Sequence, residues 1–173
     1  SHIVKGFIEL GFEVTGINRT ENYSPHLIKN IRGDTDWSDV LDDIDIIVHC
    51  AATVHQMDLS EDVLKSYEEV NVDGTLNLAN QAKANVKRFI FASSNHVTGM
   101  YEFDKPYSDI VAGSYGNMSP SDIPLIKVSD PIRPDGPYGI VKAFGEAAGR
   151  HFSDRYGLSV ICLRIGSLSI KGQ

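Results

Sequence analysis

Cysteine is scarce in this chain: 173 residues hold two, Cys50 and Cys162. Two thiols in separate apolar runs make no disulfide framework, which points to a reducing, cytoplasmic compartment. Both are expected to be small buried hydrophobes. Neither has a Cys or His at metal-ligand spacing, so no metal is expected. Long apolar runs are also missing. None approaches the roughly 18 residues of a membrane span, and no leader pattern is visible, so no membrane is expected as a partner. Basic residues fall short of acidic ones, 16 against 23, for a net charge of -7. An acidic surface repels phosphate backbones, which argues against nucleic acid. Any anionic ligand must be held by a local arrangement of donors.

What is present is enough apolar material, 42% of the residues, for one ordinary core. Apolar residues at positions 3, 4, 7 and 8 predict a helix over 2–10, with Gly11 as its terminator. Residues 12–18 alternate like a strand. Residues 19–29 read as a polar connection, and 30–33 as a short strand before a helix start at Asp34-Thr-Asp-Trp37. Residues 44–50 are a β-branched run of the kind found in central parallel strands. A helical pattern spans 60–84, with Leu64, Tyr67, Val70 and Leu78 near one face. Strands follow at 86–93 and 158–165, with a helix at 138–156. Between them, 95–137 holds most of the prolines and no sustained period. A connection that long inside a compact domain is usually functional. Strands alternating with helices predict a parallel sheet with helices on both faces, whose ligands bind beyond the carboxyl ends of the strands.

Tyr138-Gly-Ile-Val-Lys142 places a phenol and an ammonium on one helix face. A free tyrosine titrates too high to be a good base at neutral pH, and a neighbouring ammonium is expected to lower that value. The pair could then exchange a proton with an alcohol or a carbonyl, although the same spacing also occurs on ordinary helices. Ser94 follows an apolar strand directly, where a hydroxyl can steady charge on a reacting oxygen; plain turn chemistry is the alternative. Ala51 and Ala52 end another strand and are small enough to admit a flat cofactor, or simply to pack. Asn71 and Gly74 both cost stability inside a helix, which implies a packing or functional reason. Asn18 and Arg19 stand where a dinucleotide ribose is read. The absent acid and the present Arg lean toward NADP, or toward use of both NADP and NAD. Asp34 could accept from an adenine amino group or cap the next helix. Ile165 ends the last strand at the same sheet edge.

These residues together resemble the extended short-chain dehydrogenase/reductases, the group of NAD-dependent sugar epimerases and dehydratases. The resemblance rests on Gly11-Phe-Glu-Val-Thr-Gly-Ile-Asn-Arg19, Gly33-Asp34, Val48-His-Cys-Ala-Ala52, Asn71-Val-Asp-Gly-Thr75, Ser93-Ser94, Tyr138-x-x-x-Lys142 and Leu163-Arg-Ile-Gly-Ser167. Within the group, Ala92-Ser-Ser-Asn-His96 with Gly99, Arg133-Pro-Asp-Gly-Pro-Tyr-Gly139 and Lys142-Ala-Phe-Gly-Glu146 are most similar to the uronate dehydrogenase family. The resemblance implies oxidation of an aldohexuronate at C1 to its lactone, with NAD or NADP as acceptor. It makes Tyr138 the base, and gives Lys142 the nicotinamide ribose and the lowering of the tyrosine pKa. Ser94, Asn95 and His96 would bind the sugar and its reacting oxygen, and Ser167 would lie near the substrate carboxylate. Asn18, Arg19, Asp34, Ala51, Ala52, Asn71 and Ile165 would line the cofactor. A nucleotide-sugar 4-epimerase or dehydratase is the alternative reaction, and a non-catalytic nucleotide-binding module the alternative class. Asn95-His96 stands where the dehydratases carry Asp-Glu, and Thr98 where many epimerases carry Tyr.

The implied fold is a partial Rossmann-like domain over 1–173, a doubly wound parallel sheet with 95–137 as an active-site insertion. Its first strand, Gly-rich phosphate loop and C-terminal substrate-binding part are not found in the sequence. Weak or absent NAD(P) binding by these residues alone is therefore the expectation. A homodimer through the helices at 60–84 and 138–156 is also implied. Tyr67, Phe144, Phe152 and Tyr156 are candidates for its contact face or for the core.

Overall fold

The structure is a computed structural model that describes residues 2–19, 26–56 and 59–166. Helix α1 (His2–Glu9) carries the apolar spacing that predicted it. Gly11, at φ +86°, turns the chain back so that Phe12 meets Phe7 edge to face at 5.3 Å. β1 (Gly16–Asn18) pairs in parallel with β2 (His26–Ile28). The short strand expected at 30–33 is thus found earlier, inside the stretch read as a polar connection. Leu27 and Ile28 supply the apolar run, whereas Gly33 and Asp34 form a turn.

A second sheet orders β3 (Ile46–His49), β4 (Arg88–Ser94) and β5 (Ser159–Ile165), all parallel. Each crossover carries helices, as parallel neighbours require. α2 (Ser38–Leu41) precedes β3. Between β3 and β4 run α3 (Glu61–Ser66), a π-helical stretch (Tyr67–Gly74) and α4 (Thr75–Ala82) in unbroken succession. The single helix expected at 60–84 therefore contains a widened segment, at the very residues whose cost in a helix needed a reason. α6 (Pro137–Tyr156) joins β4 to β5 after the 95–137 segment. Pro137 opens it without a lost hydrogen bond, and left-handed Gly157 closes it by donating to the Ser153 carbonyl.

The core lies between this sheet and its helices. Trp37, Leu41, Leu78, Ala82, Phe89, Phe91, Phe152 and Leu158 form one buried cluster. α6 approaches the sheet closely because Gly145 faces the Phe91 ring, where a Cβ would have no room. Of the four aromatics considered for an outer face, Tyr67 and Phe152 are buried, and Phe144 and Tyr156 are exposed. The cysteines depart from expectation: Cys50 is exposed at the open carboxyl end of β3, and Cys162 is half-buried on β5. No helix among the described residues is long and apolar enough to cross a membrane.

The 95–137 segment is folded onto the sheet edge. It begins as a 3-10 helix (Asn95–Phe103), then α5 (Tyr107–Val111), then a single 3-10 turn (Pro120–Asp122). Its return arm is zipped to the first helix: Arg133 N–H donates to the Val97 carbonyl at 2.9 Å, and Met100 N–H to the Arg133 carbonyl at 3.0 Å. The Arg133 guanidinium lies over the Tyr101 ring at 4.7 Å and is paired with Asp104. The Tyr101 and Tyr107 hydroxyls donate to the Pro131 and Pro124 carbonyls. These tyrosines therefore fasten the insertion to itself.

Candidate active site

The carboxyl end of β4 and the first turns of α6 bring Ser94, His96, Tyr138 and Lys142 into one neighbourhood. Tyr138 and Lys142 sit four residues apart on α6. Ser94 ends β4, and its hydroxyl accepts from the His96 N–H at 3.3 Å and so caps the following 3-10 helix. The His96 ring stands edge-on to the Tyr138 ring, centroids 5.5 Å apart at 80°. This close approach depends on Gly139, where a Cβ would collide with the His96 carbonyl.

Lys142 is buried, at 3% exposure. Its ammonium donates to the Ala92 carbonyl at 2.7 Å and lies 4.9 Å from the Phe91 ring centre and 5.7 Å from that of Tyr138. Burial pulls its pKa down to about 8, partly offset by nearby Cys50. The expected lowering of the tyrosine pKa is not found. Burial, and then the neighbouring Tyr67, push the Tyr138 phenol up from its ordinary value. The physical reason is that the ammonium is turned to a main-chain carbonyl instead of the phenol oxygen. Beneath it, His49 is buried on β3, hydrogen-bonded to the Thr75 hydroxyl at 2.9 Å. Burial, then the charge of Lys142, bring its pKa down to about 4.

The loop after β3 completes the neighbourhood. Asn71, 3% exposed, clamps it: its side-chain oxygen accepts from the Thr53 N–H at 2.8 Å, and its amide donates to the Thr53 carbonyl at 2.9 Å. The Thr53 and Ser66 hydroxyls meet at 2.6 Å, and the Tyr67 hydroxyl bridges the Val54 carbonyl and the Gln56 N–H. Asn71 thus holds the loop that would border a cofactor. Gly74 serves packing, because a Cβ there would press into Ile31. The π-helical stretch turns Asn71 and Tyr67 toward the loop together, a use that such segments often serve. The clamped loop carries His55, whose ring stacks on that of His96 at 4.7 Å and 10°.

Behind Ser94, a network ties three elements. Glu146 accepts from the Ser93 hydroxyl at 2.6 Å and from two Arg164 nitrogens at 2.9 and 2.8 Å. Burial alone would raise the Glu146 pKa, but the hydrogen bonds from Arg164 and Ser93 outweigh it and hold the carboxyl below its ordinary value. The network fixes β4, α6 and β5 in mutual position at the sheet edge that carries Ser94.

The remaining sequence candidates lie at strand ends of the two sheets and in a turn. Asn18 and Arg19 are exposed at the end of β1, where Asn18 accepts from the Arg19 N–H. Ala51 is exposed and Ala52 half-buried after β3. Ile165 pairs with Ser94 in register at the end of β5. Asp34 is exposed in a turn and does not cap α2, whose N-cap position is Trp37; the Ser38 N–H donates instead to the Asp36 side chain at 2.9 Å. Ser167 lies outside the described residues. His55, Tyr67, Asp135 and Glu146 were not singled out from the sequence as site residues. Asp135 and Glu146 do stand inside the motifs quoted for the resemblance, and His55 follows the small residues after β3.

A dinucleotide can be tested against the residues present. An ammonium has three donors, and Lys142 uses one of them on a described partner, Ala92. A buried ammonium with donors to spare suits a polyhydroxyl ligand such as a ribose. The exposed Ala51 and half-buried Ala52 leave backbone accessible beside it. The residues fit such a group.

Comparison with known proteins gives the same direction. The profile of the NAD dependent epimerase/dehydratase family matches residues 1–169. The L-arabinose 1-dehydrogenase (NAD(P)(+)) of Haloferax volcanii is 37% identical over 158 residues, 90% of this chain and 58% of that protein. A UDP-glucose 4-epimerase of Vibrio cholerae is 47% identical over 74 residues, 42% of this chain and 23% of that one. The solved structure of a mutated uronate dehydrogenase superposes with a TM-score of 0.73 at 26% identity, covering 96% of this chain and 54% of that one. The chain spans about half the length of the curated relatives that it matches over most of its own.

Proposed function

The chain belongs to the NAD dependent epimerase/dehydratase family, and on that premise we propose that its protein is an NAD(P)-dependent sugar 1-dehydrogenase. The substrate class is an aldohexuronate or a related aldose, oxidised at C1 to the lactone. The observation that carries this reading is the site beside Tyr138. Asn95 and His96, whose Nδ1 is held by Asp135 at 2.7 Å, stand there, where a dehydratase would need an acid/base pair of carboxyls. The similarity to an arabinose 1-dehydrogenase and to a uronate dehydrogenase supports oxidation at C1.

In this mechanism Tyr138 takes the proton of the C1 hydroxyl as the C1–H bond gives up its electron pair. The nicotinamide, when bound, supplies the acceptor for that hydride. Ser94 donates to the reacting oxygen, with Asn95 and His96 on neighbouring sugar hydroxyls. Lys142 supplies positive charge near the phenol and donors to the nicotinamide ribose. Burial disfavours a standing phenolate, so the charge on Tyr138 builds up only as the proton moves. Asn18 and Arg19 would read the adenine ribose, and Asp34, Ala51, Ala52 and Ile165 would line the rest of the cofactor. Asn71 would act through the loop that it clamps. The two free thiols fit a cytoplasmic enzyme. A homodimer would use the helices over 60–84 and 138–156, where Leu64, Phe144 and Tyr156 are exposed.

The test is to incubate the full-length protein with uronates, neutral aldoses and nucleotide sugars, and to follow NADH or NADPH formation. Oxidation of a free uronate or aldose is expected. Reaction with nucleotide sugars alone would overturn the reading in favour of the epimerase alternative. Light scattering of the same protein checks the dimer, and a clean monomer would refute it.

A further inference from the structure

We propose that Asp135 is a positioning residue of this site, which ties back one nitrogen of His96 so that the other accepts a hydrogen bond from a sugar hydroxyl. The inference rests on the sugar-dehydrogenase reading above and adds to it a residue and a proton arrangement. The Asp135 carboxylate lies 2.7 Å from His96 Nδ1. A carboxylate can only accept there, so Nδ1 must carry a proton. His96 Nε2 has no hydrogen-bond partner among the described residues, and in the neutral ring it is left as an acceptor. The ring is also fixed in plane and tilt. His55 stacks on its face at 4.7 Å, and Tyr138 meets it at 5.5 Å and 80°.

The surroundings are cut to admit this carboxylate. Gly99 and Gly139 belong to different helices, and both border Asp135. A Cβ on Gly99 would overlap Asp135 Oδ2 and come within 2.8 Å of its Cβ, and one on Gly139 would come within 3.2 Å of Oδ1. The main chain holds Asp135 in place as well, through its N–H to the His96 carbonyl at 3.3 Å. An aspartate whose slot needs two glycines, and whose carboxylate meets an imidazole beside Tyr138, has the geometry of an orienting group. The general precedent is the buried aspartate that sets the tautomer of a catalytic histidine.

Two measurements on the full-length protein test this. Long-range proton–nitrogen correlation spectra at pH 8.5 read which ring nitrogen of His96 is protonated, without any turnover. The expected spectrum has the proton on Nδ1 and a bare Nε2, and both Asp135→Ala and Gly99→Ala should abolish that form. Gly99→Ala removes no polar group and acts only by displacing the carboxylate. A proton on Nε2 in the wild type, or spectra unchanged by the variants, would overturn the proposal. The second measurement is kinetic, with D-galacturonate and L-arabinose as probes. Asp135→Ala should lower kcat/KM by about 10–100-fold, the range seen when the partner orienting a ligating histidine is removed, with cofactor affinity unchanged. In a His96→Gln background the same substitution should cost less than about twofold, since groups that act as one unit are not additive. Equal losses in both backgrounds would mean a merely structural role and overturn the proposal. If neither probe is oxidised, the dehydrogenase reading fails, and the spectra still decide whether Asp135 positions His96.

Discussion

Acid should destabilise this fold in part through His49. It is buried on β3 with its ring beside Phe89 and Phe91 and near the charge of Lys142, and its pKa in the folded state is about 4. In the unfolded chain it titrates near 6.5. Between those values the unfolded chain binds more protons, so stability falls as pH falls, beginning near 6.5 and levelling off below 4. At pH 5 the cost is RT ln[(1 + 10^1.5)/(1 + 10^-1)], about 2 kcal/mol relative to pH 7.5. The perturbation is His49→Gln, which keeps a polar group within reach of Thr75 and removes the titration. Lys142, mostly charged across this range, and the carboxylates, Glu146 among them, are common to both proteins, so they cancel. Urea unfolding of wild type and variant at pH 7.5 and 5.0 gives a difference of differences. Wild type should lose about 2 kcal/mol more than His49→Gln. Equal losses in the two proteins would refute the claim that His49 is held neutral by its surroundings.

Other outcomes follow from the same geometry. Tyr138→Phe should lower kcat on the oxidised sugar by about 10²–10⁴-fold, the usual worth of a general base, while leaving cofactor affinity intact; steady-state kinetics with calorimetry checks both. Glu146→Gln should cost about 1–3 kcal/mol in chemical denaturation, because the one oxygen it keeps loses its charge and an amide NH2 replaces the second acceptor of Arg164. Asn71→Ala should speed hydrogen exchange at the Thr53 and Gln56 amides, since Thr53 loses its acceptor and the loop its clamp; unchanged exchange would show that the loop stands without it. Gly145→Ala should destabilise by about 1–3 kcal/mol, because the added methyl meets the Phe91 ring.

Residues whose roles follow from local pattern were legible in the sequence. The β-branched run at 44–50 holds a parallel strand, although among the described residues it stands at the edge of its sheet and β4 at the centre; the spacing of Tyr138 and Lys142 is helical, and Ser94 ends a strand. The cost of Asn71 and Gly74 inside a helix pointed to a packing or functional reason: Asn71 clamps the Thr53 backbone, and Gly74 packs against Ile31. What could not be read depends on long-range contacts. Asp135 meets His96 across 39 positions, and Glu146 meets Ser93 across 53. Nothing in a local window says which carboxylate will fall beside which partner. β2 was misplaced for a different reason, since three residues carry too little periodicity to outweigh polar neighbours. The tyrosine pKa went the other way because spacing fixes which residues share a face, but not where a long lysine side chain aims its charge.

That aim explains how Lys142 can be both a liability and an asset. Its pKa of about 8 against 10.5 in the unfolded chain means that the charged form costs the fold about 3 kcal/mol below pH 8. The cost fades as pH rises from 8 to 10.5, because the folded state gives up the proton first. A chain selected for stability alone would place an apolar residue beneath Ala92. The ammonium is unfavourable because burial removes water and one carbonyl replaces it. Any ligand that brings acceptors to the spare donors recovers part of that deficit, so the same desolvation that weakens the empty fold strengthens its grip on a hydroxyl-bearing ligand. Asn71 fits this logic, since it satisfies the adjoining loop from inside the protein and leaves the lysine's donors to be satisfied from outside.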